Sequence, residues 1–478
     1  MLTRRNVLQL GALAGTAALL PAERVMGAVA AAVSPSVPAF SVPLTIPPVL
    51  RPRWSLGNTD YYEITMREAD AEILPGRTTR IWGYHGIFPG PTIRTRSGRR
   101  VIVRQRNDLG IDTAVHLHGG NVPAGSDGHP SDLVRPGRSR SYFYPNRQPA
   151  TTLWYHDHAH HQEHRNTYRG LTALYLIGDG AEDRLRLPSG RHDIPLMIQD
   201  RSFNDDGSFR FPLGADEFAG DTTLVNGRPK PFLEVEQRAY RFRLLNGSSL
   251  DGFVDLSLDS GQQFVQIGSD GGLLATPHAT SRIPLAPAER ADVVVDFSDY
   301  PIGSQVVLKN AFTLFGNDPD VLRFDVVRSA TEYSTVPATL VPIERLSPAS
   351  ARRTRDFELA LNLAKEQFEI NGKVFDPNRV DVRPRLGDTE IWRVTNRDTA
   401  LGIPHTFHTH LVRFQVLDRN GTPPGPAESG WKDTVHVNPG ETVRIIMRFG
   451  DFTGRYTYHC HLMGHSTAGM MAQMEVVR

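Results

Sequence analysis

The sequence predicts an all-β chain built of sandwich- or barrel-like modules. Short strand-like runs, such as residues 61–65, 100–104 and 173–177, are punctuated by turns drawn from 42 glycines and 35 prolines. The same texture recurs at 224–267, 291–309, 388–418 and 434–477. No helical periodicity spans any of these stretches, so packed sheets are left as the means of burying a core.

A chain of 478 residues is too long for one ordinary core. At roughly 100–200 residues per domain it should hold about three. A polar break at 178–183 and a polar, Pro-containing stretch at 329–355 divide it into modules at 49–180, 181–330 and 350–478, with a linker at 331–349. Residues 98–109 and 387–396 echo each other: each reads as turn, strand and Asn, followed by histidines. The echo suggests that the first and third modules are duplicates.

The N-terminus has a different character. A basic start precedes an apolar run of about fifteen residues, a signal-peptide pattern that is too short to cross a bilayer. Thr3-Arg4-Arg5-Asn6-Val7-Leu8 resembles a twin-arginine export signal, and Ala28-Val29-Ala30 offers a cleavage site. The expected order is a signal peptide at 1–30 and a Pro-rich arm at 31–48. Export through the twin-arginine translocase would deliver a folded protein to the periplasm, the medium or the cell or spore surface. A net charge of +1 leaves no field to favour nucleic acid, and one cysteine excludes an internal disulfide.

That cysteine, Cys460, stands between two histidines. Of 18 histidines, ten fall in four tight clusters: His116 and His118; His156 and His158; His405, His408 and His410; and His459, His461 and His465. On a strand, residues i and i+2 share a face. The pairs 116/118, 156/158, 408/410 and 459/461 can therefore each aim two imidazoles to one side, and eight such rings exceed what one metal needs. Parity separates a second site, because Cys460 points away from its neighbours and His405 has the opposite parity to His408. Cys460, His405, His465 and the more distant Met470 match the ligand set of a blue-copper centre. Structural zinc uses Cys and His but rarely Met.

These motifs resemble the multicopper oxidase family over nearly the whole chain after the leader. H-L-H-G (116–119), W-Y-H-D-H (154–158), H-x-x-H-x-H (405–410) and H-C-H-x3-H-x4-M (459–470) carry the resemblance. Further stretches at 88–94, 116–130, 152–159, 285–292 and 430–435 are similar to the spore-coat laccase (CotA-like) and bilirubin oxidase branch. The resemblance implies three cupredoxin-like Greek-key β-sandwich domains and four copper ions. Type 1 copper would take His405, Cys460, His465 and axial Met470. Type 2 copper would take His116 and His408, and the type 3 pair His118, His156, His158, His410, His459 and His461. The cluster would lie between the first and third domains, with the middle one mainly a spacer.

The implied activity couples four one-electron oxidations of a small aromatic donor to reduction of O2 to two waters, in a monomer. A donor would dock near the exposed edge of a type 1 histidine, beside loops 402–404, 420–430 and 466–469. Asp127 would assist proton delivery or orient water; its other reading is a turn residue in Ser126-Asp127-Gly128. Two departures stand out. Thr406 replaces a common Pro, and Ser466 and Thr467 stand where the branch carries acids. Metal-ion oxidation, a structural coat role and a copper-free structural factor are the competing functions, and the full ligand set argues against the last. His160, His161 and His164 read as a polar, partly exposed face, Asp157 as either an orienting or a structural residue, and Met463, Met471 and Met474 as core.

Overall fold

The computed structural model describes residues 33–211, 219–249, 252–312 and 318–478; the export signal expected at 1–30 lies outside the described residues. Six sheets pair into three sandwiches. In the first, a five-stranded sheet (Trp54–Leu56, Thr59–Ala71, Thr79–Tyr84, Arg100–Asn107, Ser139–Tyr144) faces a four-stranded one. The latter comprises β1 (Gly90–Arg96), β2 (Val115–His118), β3 (Thr151–Asp157) and β4 (Thr172–Gly178), in the order β1-β4-β3-β2. Tyr62, Ile64 and Val103 from one sheet meet Leu117, Leu153 and Tyr175 from the other in one core. Between β3 and β4 lies a short helix, α1 (Glu163–Tyr168).

The middle sandwich joins a seven-stranded sheet, containing β5 (Arg290–Asp296), to a five-stranded sheet around Phe242, Val293, Leu256 and Phe324. In the third, a five-stranded sheet faces β6 (His405–Thr409), β7 (Thr434–Val437), β8 (Gly454–Cys460) and β9 (Met471–Val476), ordered β7-β6-β8-β9. A one-turn helix, α2 (Met463–Thr467), links β8 to β9. Cys460, Met470 and Met474 belong to this module's core, with Trp392, Phe407 and Tyr458. Among the described residues no helix is long and apolar enough to cross a membrane.

Strand parity explains how one sequence serves two contacts. β3 is buried along its whole length. Its residues Leu153 and Tyr155 enter the first core. Trp154, of opposite parity, packs with Met197, Leu245 and Ala288 of the middle module and Met463 of the third. Burying such a side chain contributes ~1.5–3 kcal/mol, so β3 cements the modules as well as its own sheet. The arm also ties modules together: Leu44 N donates to Phe232 O (2.7 Å), and Pro48 O accepts from Thr92 N (2.9 Å). The stretch 331–347 forms no strand and packs Leu340 on the middle module, its N–H 2.8 Å from Ala275 O.

All three sandwiches meet at one turn of the middle module. Asp270 O accepts from Thr151 Oγ1 of the first (2.8 Å), and Gly271 N donates to Trp431 O of the third (2.8 Å). A Cβ on Gly271 would stand 2.4 Å from the Trp431 Cβ, so the close approach demands glycine.

Gly128 is a second position where the backbone demands glycine. Its φ is +75°, and a Cβ there would come 2.0 Å from Val115 O and 2.7 Å from His116 N. The backbone of β2 cannot yield without moving His116. Gly128→Ala should therefore cost about 3 kcal/mol or more, read as a lower urea midpoint, whereas Ala at the open Gly98 (φ +77°) should cost about 1–2 kcal/mol.

Candidate metal centres

Strand register assembles the histidines. β2 pairs with β3 so that His116 faces His156, and β6 pairs with β8 so that His408 faces His459 and Phe407 faces Cys460. The two ladders meet across the contact between the first and third sandwiches. There His116 stacks on His410, and His118 on His408, each with ring centroids 3.7 Å apart.

Three groups of ring nitrogens result, each with its donor atoms within 4.8 Å of one another: His118, His156 and His461; His158, His410 and His459; and His116, His408 and again His118. The rings of the 156/158, 408/410 and 459/461 pairs go to different groups, and His118 is shared by two, so every pair spans neighbouring positions. On the far side of β8 lies a separate group of His405, Cys460 and His465. Its two Nδ1 atoms are 3.6 and 3.7 Å from Sγ and 3.2 Å from each other. Met470 is buried beside them, its carbonyl accepting from Cys460 N at 3.0 Å.

The backing of each ring sets which nitrogen faces inward. His116 Nδ1 is held by Asp127 O (2.7 Å), His156 Nδ1 by Asp157 O (2.9 Å), His408 Nδ1 by Asp433 O (2.8 Å) and His459 Nδ1 by Cys460 O (2.9 Å). Asp127 Oδ2 holds His410 Nδ1 at 2.7 Å. His118 is reversed: its Nε2 sits 3.0 Å from Asp433 Oδ1, which leaves Nδ1 facing inward. The inward atoms His116 Nε2, His118 Nδ1, His156 Nε2, His408 Nε2 and both nitrogens of His461 are buried without a hydrogen-bond partner. Buried nitrogens cost free energy unless something binds them. The donor set of neutral imidazoles plus one thiolate suits copper.

Burial pushes His116, His118, His408, His410, His461 and His465 well below the usual histidine range, and His156 to about 3 and His459 to about 4; neighbouring imidazoles push the same way. These rings are therefore neutral, as metal ligation requires. For His158 burial also opposes the charge, but the Glu163 carboxylate outweighs it and raises the ring.

Known proteins point the same way. The multicopper oxidase family model matches residues 65–181 and 348–478. A laccase of Bacillus subtilis (strain 168) is 36% identical, over 91% of this chain and 97% of its own. A bilirubin oxidase of Albifimbria verrucaria is 37% identical, over 92% and 82%. The solved laccase of Pediococcus acidilactici superposes with a TM-score of 0.87 at 37% identity, covering 93% of this chain and 95% of that one. The chain belongs to the multicopper oxidase family. It is a copper oxidoreductase with O2 as acceptor, and its three sandwiches are the cupredoxin-like domains of that family.

Several supports of the oxidase's site were not foreseen. Asp398 Oδ2 lies 2.8 Å from His405 Nε2 and so turns Nδ1 towards Cys460. An acid seven residues before His405 was its only sequence trace. The middle module carries none of the clustered rings, yet it is more than a spacer. Arg290 of β5 grips Asp433 of the third module with two bonds, 2.7 and 2.5 Å. Asp433 in turn backs His118 of the first and His408 of the third. Lys432 pairs with Asp270 (2.9 Å) and Glu289 (3.3 Å) alongside. In sequence the stretches 285–292 and 430–435 are family-like, and their opposite charges, Glu289-Arg290 against Lys432-Asp433, are the available signal.

Other readings are resolved more simply. Asp157 does both jobs: its carbonyl orients His156, while its carboxylate accepts from Ala114 N, Ala159 N and Asn166 Nδ2. Asp127 closes the turn at Ala124–Ser126, as its turn reading expected, and is fully buried there. His161 is exposed and His160 and His164 are half-buried, which agrees with the partly exposed polar face expected there. Met463, Met471 and Met474 are buried, as expected of core residues. Loop 420–430 leans on the middle module, with Gln266 Nε2 3.4 Å from Ala427 O, and the ring stacked on His465 is Phe368, from outside the expected loops (3.8 Å).

Arg290→Met should cost ~3–5 kcal/mol by stranding Asp433, measured by urea unfolding of the copper-free protein. Adding Asp433→Asn should recover most of that loss.

Proposed function

We propose that this oxidase is an exported, laccase-like enzyme that couples four one-electron oxidations of phenolic, aromatic amine or tetrapyrrole donors to the reduction of O2 to two waters. Four copper ions per chain would be held as follows: type 1 by His405, Cys460, His465 and Met470; type 2 by His116 and His408; and the type 3 pair by His118, His156 and His461 and by His158, His410 and His459. Bound there, copper supplies reversible one-electron chemistry on the thiolate side and multi-electron chemistry towards O2 on the cluster side.

The observation that carries this reading is the placement of Cys460. Its side chain enters the His405/His465 group, while the residues bonded to it on either side, His459 and His461, enter two different cluster groups. The connection between the two sites is covalent and one residue long. Of the twelve proposed ligands, His465 reaches solvent most, at 7% exposure, and its packing on Phe368 leaves it as the contact for a flat aromatic donor. Relatives named laccase and bilirubin oxidase support that donor class. Asp127 holds His116 and His410, and its Oδ1, which makes no hydrogen bond and lies 3.6 Å from His116 Nδ1, is assigned the water-orienting part of its expected role. Export by the twin-arginine translocase, delivery outside the cytoplasm and a monomeric state complete the reading, on the strength of residues 1–30 and the self-contained site.

Oxygen uptake by the copper-loaded chain tests it, with a phenol, bilirubin, Cu(I) and Mn(II) compared at equal copper content. Uptake is expected with the organic donors; none with any donor, in protein holding four coppers, sinks the oxidase reading. Cys460→Ser should abolish the blue colour and reduce organic-donor turnover by a factor of a thousand or more, a scale on the order of losing one essential group.

A further inference from the structure

At 466, where an acid was expected, stands Ser466, and the structure shows what faces it. Glu163, the first residue of α1, reaches from the first module into the contact with α2 of the third. It is 2% exposed and Ser466 is 1% exposed. The Ser466 hydroxyl donates to Glu163 Oε1, and Glu163 Oε2 lies 2.8 Å from His158 Nδ1. His158 Nε2 lies 3.2 Å from His459 Nε2, in the group that also holds His410. Among the three rings of that group, His410 is backed by the carboxylate of Asp127 and His459 by the carbonyl of Cys460. His158 has Glu163 at the corresponding place.

We propose that Glu163 is the positioning residue of His158, a carboxylate supplied by α1 that turns Nε2 towards His410 and His459 and joins that ring through Ser466 to the helix bearing His465. A buried carboxylate is costly unless partnered on both oxygens, and here its two partners lie in different modules and lead to different metal sites. Carboxylate backing fixes an imidazole's tautomer and raises its basicity as a ligand, and loss of such a partner typically weakens metal binding about 10–100-fold.

The inference rests on the copper reading above, and the test separates the two. Full-length wild type, Glu163→Gln, Glu163→Ala and Glu163→Ala/Ser466→Glu are equilibrated in copper buffers of graded free Cu, and bound copper per chain is counted. The blue band of the Cys460 centre is recorded in parallel. Glu163→Ala is expected to weaken one of the cluster coppers by about 10–100-fold while the blue band persists. Glu163→Gln keeps the shape but not the charge and should weaken it about tenfold. Ser466→Glu in the alanine background places a carboxylate from the opposite wall and should restore binding to within about threefold of wild type. If Glu163→Ala does not fold, the glutamine variant decides alone: weakened cluster copper supports the inference, and wild-type binding overturns it. Wild-type binding in both single variants, or a folded double variant no better than Glu163→Ala, also overturns it. A wild type that takes up no copper would instead overturn the parent reading.

Discussion

A histidine ring has two nitrogens, and burying both requires a partner for each. That constraint organises the centre of this molecule. Four rings are backed by carbonyls one to twenty-five residues away in sequence, and His118, His410, His158 and His405 by the carboxylates of Asp433, Asp127, Glu163 and Asp398. Once one nitrogen is occupied, the other can only face inward. The backing thus dictates the tautomer, and the tautomers dictate where donor atoms converge. His118 shows the rule by reversing it: with Nε2 taken by Asp433, Nδ1 is the inward atom.

The backing groups come from the first and third sandwiches and one of them is clamped by the second, so ring orientation and domain packing are the same problem. Asp433 belongs to the third module, is clamped by Arg290 of the second and holds a ring of the first. Nearby, Asp270 and Gly271 bring the middle module against both others. A shift of any one sandwich would leave a buried charge or ring nitrogen unmatched. Such mismatches cost more than the pairs themselves contribute, and this asymmetry holds the modules in one arrangement.

Strand period made much of this legible beforehand. Parity alone separates Cys460 from His459 and His461, and the structure keeps them in separate groups. The same reasoning foresaw that each H-x-H pair faces one side. It did not foresee that the rings of the 156/158, 408/410 and 459/461 pairs join different groups, because that depends on where the facing sheet stands. Asp398, Glu163, Arg290 and Asp433 escaped notice for a related reason. An acid or a base in a sequence has no visible partner, and three of these four have one in another module: Glu163 meets Ser466, Arg290 meets Asp433, and Asp433 meets His118. Ser466 looked like a missing carboxylate, whereas the structure sets a carboxylate from elsewhere against it.

Read alone, the sequence determined the all-β class, the family and the chemical types of the donors, because these follow from local alternation and from motifs a few residues long. The tertiary structure decided which nitrogen of each ring is presented, which rings share a position and which carboxylates stand behind them. For His118 and His410, and for the carboxylate behind His158, those outcomes depend on contacts between residues more than two hundred positions apart: His118 with Asp433, His410 with Asp127 and Ser466 with Glu163. Side-chain direction along a strand is a local property, but the choice of hydrogen-bond partner is made only when two sheets meet.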